Sequence, residues 1–114
     1  MYCKIAKDFN YFSFEFLKDK NIFKFEDEYS YLRIGISRLY YAYFWFYLDK
    51  YPDIANSKSS NKHNLILQKS NDNLFKTLQD LRIWADYKIC QPPKGTEKML
   101  KNYQMRVFKK LKNC

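Results

Sequence analysis

Ten consecutive residues, Leu39 to Leu48, are all apolar or aromatic. They sit inside a longer segment, Tyr29 to Tyr51, whose length favours a helix over a buried strand. A helix that is apolar on every side occupies the middle of a bundle, or divides its surface between a core and a second copy of the chain. The run is too short to span a bilayer. Pro52 is expected to end the helix.

The chain has two glycines and three prolines in 114 residues, against ten Phe and eleven Tyr. So few turn residues argue against many short strands and for a few long helices. The length corresponds to one domain, residues 1–114, able to bury a real core. The tyrosine hydroxyls need partners wherever they are buried, so that core or its interface should carry many hydrogen bonds.

Cys3–Lys18 places Ile5, Ala6, Phe9, Phe12, Phe16 and Leu17 at helical spacing, and Lys18–Glu28 reads as a connector. Asp27 or Glu28 is suited to starting the next helix. After Pro52, Asp53–Asn61 reads as a loop and His63–Lys69 as a short helix with Leu65 and Ile66 inward. Asn71-Asp72-Asn73 reads as a turn in which Asp72 or Asn73 caps a fourth helix, Leu74–Ile89. That helix offers Leu74, Leu78, Leu81, Ile83, Ala85 and Ile89 to the core. Gln91-Pro92-Pro93-Lys94-Gly95 breaks it. Thr96 opens a last helix to about Lys112, with an apolar stripe of Met99, Leu100, Tyr103, Val107, Phe108 and Leu111. The expected class is all-α, an up-and-down bundle of about five helices.

Cys3, Cys90 and Cys114 are odd in number, scattered and without metal-ligand spacing. They read as free thiols in a reducing cytoplasm. With His63 as the only histidine, no zinc site and no cofactor are expected. The first residues mix Lys, Asp and aromatics with no clean apolar run, so no secretory signal is expected.

Two segments place an arginine among apolar and aromatic neighbours. These are Ser37-Arg38-Leu39-Tyr40-Tyr41-Ala42-Tyr43-Phe44 and Leu81-Arg82-Ile83-Trp84-Ala85-Asp86-Tyr87. A buried guanidinium is costly unless an acceptor meets it. Arg38, Arg82 and Asp86 therefore suggest a polar site between two packed helices. Arg82 and Asp86, four apart, share a helix face and read either as a bracing ion pair or as a phosphate-binding arginine held in place. Arg38 reads as a partner of Asp86 or of backbone carbonyls, or as a second phosphate ligand. Tyr40 and Tyr41 read as core or interface residues, Tyr87 as a packing or interface residue. His63 reads as a helix-start residue and is also the one ready general base.

In this order, Ser37 to Phe44, His63 and Leu81 to Tyr87 resemble the HEPN superfamily, most nearly its small stand-alone bacterial and archaeal proteins. The resemblance spans roughly Tyr29 to Tyr87. It implies a bundle that is often a homodimer, linked to RNA and to defence or toxin–antitoxin systems. Many relatives cut RNA without a metal through an Arg-x4-His motif on the helix that here holds Arg82. Others stand beside a nucleotidyltransferase antitoxin, in some cases one that attaches AMP to a tyrosine near that motif, which points to Tyr87. This chain departs from the nuclease pattern, because Tyr87 stands where the motif histidine belongs. The expected acid/base group is therefore missing unless His63 replaces it in space.

The net charge is +9, unevenly distributed. Residues 1–56 are neutral, 57–89 carry +3 and 90–114 carry +6. Such a basic last helix either attracts an anionic partner or is a solvated face. Three functions follow as expectations. The first is an RNA-associated HEPN-type protein, with Arg38 and Arg82 lining a dimer cleft and Lys98, Lys101, Arg106, Lys109 and Lys110 tracking phosphates. The second is a non-catalytic subunit docking onto a larger nucleic-acid-guided or nucleotidyltransferase partner. The third is a plain helical dimer whose polar site sets register.

Overall fold

The computed structural model describes residues 2–18 and 24–114, with the side chains of 16–18 outside the description. Six helices follow in order: α1 (Tyr2–Lys18), α2 (Ser30–Lys50), α3 (Pro52–Ala55), α4 (Lys62–Ser70), α5 (Asn73–Tyr87) and α6 (Thr96–Leu111). No strand occurs among the described residues. The positions expected at Phe16 and Leu17, and residues 19–23 of the connector, lie outside the described side chains and residues.

Helix α2 is the axis of the bundle. It packs most extensively against α1 and then α5, and also touches α6, α3 and α4. Leu39, Tyr40, Ala42, Tyr43, Phe44, Tyr47 and Leu48 are buried, and Tyr41, Trp45 and Phe46 are half-buried. The apolar run is covered on nearly every side, which is what its composition demands.

Several helix boundaries and faces differ from the sequence expectation. Pro52 ends α2, as expected, and also opens α3, most of which falls within the span expected as a loop. It occupies the first turn of α3, where its missing N–H is not needed, and Ile54 of that turn is buried. Helix α2 starts at Ser30, with Asp27 Oδ2 accepting from the Tyr29 N–H (3.0 Å) just upstream. Helix α5 ends at Tyr87, so Ile89 lies beyond it and is fully exposed. Ile83 faces outward, and Phe75 and Trp84 fill the core positions instead. On α6 the buried stripe is Thr96, Leu100, Gln104, Val107 and Leu111, while Met99 and Phe108 are exposed. Phe12 of α1 is exposed as well, and Asn10 and Ser13 take the inner face.

Caps explain the local stops. Asp72 accepts from the N–H groups of Leu74 (2.8 Å) and Phe75 (3.2 Å), capping α5 as expected. Asn71 closes α4 in the left-handed region at φ 50°, a conformation asparagine tolerates. Gly95, at φ 84°, is the N-cap of α6, and Thr96 opens the helix as expected. Thr96 Oγ1 donates back to the Pro93 carbonyl at 2.6 Å.

Polar ties cross the core. Ser13 Oγ donates to the Gly35 carbonyl (3.1 Å), and Gln104 Nε2 donates to the Ser13 carbonyl (3.2 Å), joining α1, α2 and α6. The Arg33 guanidinium closes the end of α5. Its Nη1 donates to the carbonyls of Trp84 (3.0 Å), Ala85 (3.1 Å) and Lys88 (2.6 Å), and Nη2 to that of Cys90 (3.3 Å).

The expectation of three free thiols is corrected. Cys3 and Cys114 form a disulfide with Cα atoms 5.9 Å apart, leaving Cys90 as the free, exposed cysteine. Packing of α1 against α6 brings the two ends of the chain together, which their separation of 111 residues conceals. Asp49 lies beside this pair, all three ligand atoms within 4.8 Å of one another. Joined as a disulfide, the sulfurs are not thiolates able to bind a metal. No described helix is long and apolar enough to cross a membrane.

Candidate functional site

Two polar centres lie along α2, on either side of the buried Phe75 ring, which stands 5.3 Å from Tyr40 and 5.6 Å from Tyr47.

The first centre surrounds Arg82. Its side chain is 11% exposed. The guanidinium lies over the rings of Tyr40 (5.2 Å), Tyr41 (5.8 Å) and Tyr87 (5.7 Å), a cation–π cage built from α2 and α5. Nη1 donates to Asp86 Oδ2 at 3.4 Å, the expected i,i+4 pair at a long distance. Nε is buried and has no hydrogen-bond partner among the described residues. Burial acts to lower the arginine pKa, but Tyr87, Tyr41, Tyr40 and Asp86 together hold it above its ordinary value.

His63 enters the same centre from the first turn of α4. Its Nδ1 is 2.5 Å from Tyr40 Oη, and its ring stacks on Phe44 (4.5 Å) and Tyr40 (5.6 Å). Burial, followed by the positive charge of Arg82, pushes its pKa below the usual histidine value. Burial raises the Tyr40 hydroxyl well above the usual phenol range, against the pull of Arg82. The imidazole is therefore neutral and the phenol protonated near neutral pH. With Nδ1 engaged by Tyr40, any proton exchange with a ligand falls to Nε2.

Arg38 does not join this centre, which corrects the expectation of two buried arginines. It is exposed, with its guanidinium 5.5 Å from the Phe9 ring. It lines a shallow pocket of about 370 Å³ together with Arg33 and Asp86, and forms no ion pair among the described residues. The carbonyl-bound arginine of α2 is Arg33, five residues earlier. Sequence reasoning missed it because Tyr31, Leu32 and Ile34 around it do not stand out from the apolar background.

The second centre is Asp72. Besides capping α5, its Oδ2 accepts from the hydroxyls of both Tyr43 and Tyr47. Burial acts to raise the Asp72 pKa, but the two phenols and two backbone N–H groups outweigh it and hold the carboxyl below its ordinary value. Burial and the same carboxylate push both phenols far above the usual range. The i,i+4 spacing of Tyr43 and Tyr47 was a signal for this pair; their acceptor, 25 and 29 residues away, carried none.

Of the basic residues expected on the last helix, Arg106, Lys109 and Lys110 line a cleft beside this second centre. Lys98 and Lys101 are exposed on α6 and do not line it. Tyr87 is 70% exposed, and Tyr41 is half-buried. No family model matches this chain, and no curated protein or solved structure matches it.

Proposed function

We propose that this chain is an HEPN-like, RNA-associated protein of a prokaryotic defence or toxin–antitoxin system. One observation carries the reading: His63 and Arg82, from separate helices, meet at Tyr40 and Tyr41 around one guanidinium. These are the three sequence elements on which the resemblance rests. The guanidinium has a single carboxylate partner at 3.4 Å, so a phosphate oxygen competes for it on favourable terms.

Binding is the function proposed, and strand cleavage is not part of it. Tyr87 stands where the motif histidine belongs, and the Nδ1 of the one available imidazole is held by Tyr40. A homodimer would place two such centres on one RNA, and exposed Tyr87 is the residue a nucleotidyltransferase partner would reach.

The test is incubation of the purified protein with labelled structured RNA in EDTA, beside Arg82→Ala and Arg82→Lys, with folding checked by circular dichroism. The expected result is binding that falls steeply with salt and weakens by about tenfold or more in a folded Arg82 variant. No binding at low salt would end the reading. Cleavage that disappears in the variants would overturn its non-cleaving part and make His63 the next residue to replace.

A second reading, a docking subunit, is favoured by one feature. An apolar groove of about 560 Å³ lies between α1 and α6, lined by Tyr11, Phe14, Met105 and Phe108. Light scattering on the isolated protein distinguishes a self-associating chain from one that remains a monomer.

A further inference from the structure

We propose that the cleft between the end of α2, the start of α5 and the second half of α6 is a phosphate-binding site for a nucleotide strand. The proposal takes from the preceding section only that the natural strand is RNA. The chemistry of the cleft does not depend on Arg82.

The cleft has a volume of about 530 Å³, within the range of small-ligand sites. Arg106, Lys109 and Lys110 stand at i, i+3 and i+4 on α6 and so share one face, and Lys50 comes from the last turn of α2. None of the four forms an ion pair among the described residues.

The one carboxylate in the cleft, Asp72, offsets one of the four charges and forms no ion pair with them. Asp72 is already saturated by two phenol hydroxyls and two backbone N–H groups. The only acid of residues 90–114, Glu97, accepts from Tyr31 Oη at 2.5 Å near the other end of α6. The cleft thus sets four cations against one anion, an excess of positive charge.

Its walls suit the remainder of a nucleotide. Half-buried Tyr51 is the aromatic side chain the cleft presents, stacked on buried Tyr47 with centroids 5.5 Å apart, while the buried Tyr43 and Leu74 lie beneath. Arginine and lysine beside an accessible aromatic ring is the composition that holds single strands with little sequence preference. A folded-state explanation also exists for the three lysines, because Lys109 and Lys110 sit at the negative end of the α6 dipole and Lys50 at that of α2. That explanation accounts neither for Arg106 nor for the convergence of all four cations on one space.

The experiment titrates ¹⁵N-labelled protein with AMP and, separately, with a single-stranded RNA of about ten nucleotides. It is repeated on the double variant Lys109→Glu/Lys110→Glu, whose positions are exposed. Both probes should shift the backbone amides of residues 50–51 and 106–110. The variant should bind RNA about tenfold or more weakly, and its dependence of log K on log salt should flatten by about 1.4 for two lost phosphate contacts. Equal affinity and equal salt slope in variant and wild type would overturn the proposal. If neither probe moves those amides, the cleft is not a phosphate site, whatever Arg82→Ala does. If AMP moves them and RNA does not, the assignment of the cleft to an RNA strand falls.

Discussion

Nδ1 of His63 lies 2.5 Å from Oη of Tyr40, with the two rings stacked at 5.6 Å. Both burial and Arg82 lower the His63 pKa in the fold. The unfolded chain, with a histidine pKa of about 6.5, therefore binds more protons as the pH falls below that value. Folding stability is complete above it and declines with acidification. Thermal unfolding should show a lower midpoint at pH 5 than at pH 7. In His63→Gln that difference should shrink; an unchanged pH profile in the variant would place the effect elsewhere.

Asp72 performs two tasks, capping α5 and accepting from Tyr43 and Tyr47. Asp72→Ala removes a cap, at about 1 kcal/mol, and leaves two phenols without their acceptor, at about 1–3 kcal/mol each when buried. Urea unfolding should report a loss of about 3 kcal/mol or more. Asp72→Asn keeps a capping oxygen and should lose less. A loss of only about 1 kcal/mol in Asp72→Ala, the value of the cap alone, would mean that the phenols find other partners.

The Arg33 fork holds four carbonyls at and beyond the end of α5. Lysine carries one ammonium and cannot reproduce that geometry. Arg33→Ala should cost about 2 kcal/mol, and Arg33→Lys should recover only part of it. Hydrogen exchange should accelerate at residues 88–90 in both. Exchange unchanged there would show that Trp84 Nε1, which also bonds the Cys90 carbonyl at 3.0 Å, suffices alone.

The Cys3–Cys114 disulfide closes nearly the whole chain. Thiol titration of the oxidised protein should find one reactive cysteine, Cys90, and three after reduction. For a loop of this length the chain-entropy model assigns about 4–5 kcal/mol, so reduction or Cys114→Ser should lower the unfolding midpoint markedly. Three reactive thiols in the untreated protein would disprove the bond.

Much of the architecture could be read from local pattern. The length of the Leu39–Leu48 run, the Asp72 cap and the polar break at 91–95 each act over one or two helical turns, so the elements they delimit were legible. The exposed Ile83, Met99 and Phe108 were misjudged because apolar spacing marks a face without saying how wide a face the bundle covers. Arg38 and Arg33 show the same difficulty for polar groups. Both are arginines on α2, and only the approach of the α5 end distinguishes the one that finds carbonyls.

The sequence by itself determined the all-α class, the central place of α2 and the concentration of positive charge in the last quarter. Those follow from composition and periodicity, which act locally. The tertiary structure alone decided the meeting of His63 with Tyr40 and Arg82, the sharing of Asp72 by Tyr43 and Tyr47, the cleft that joins Lys50 to Arg106, and the pairing of Cys3 with Cys114. Each joins residues between 19 and 111 positions apart. Such contacts depend on how helices pack, and packing is set by the shape of the whole core, which no local spacing encodes.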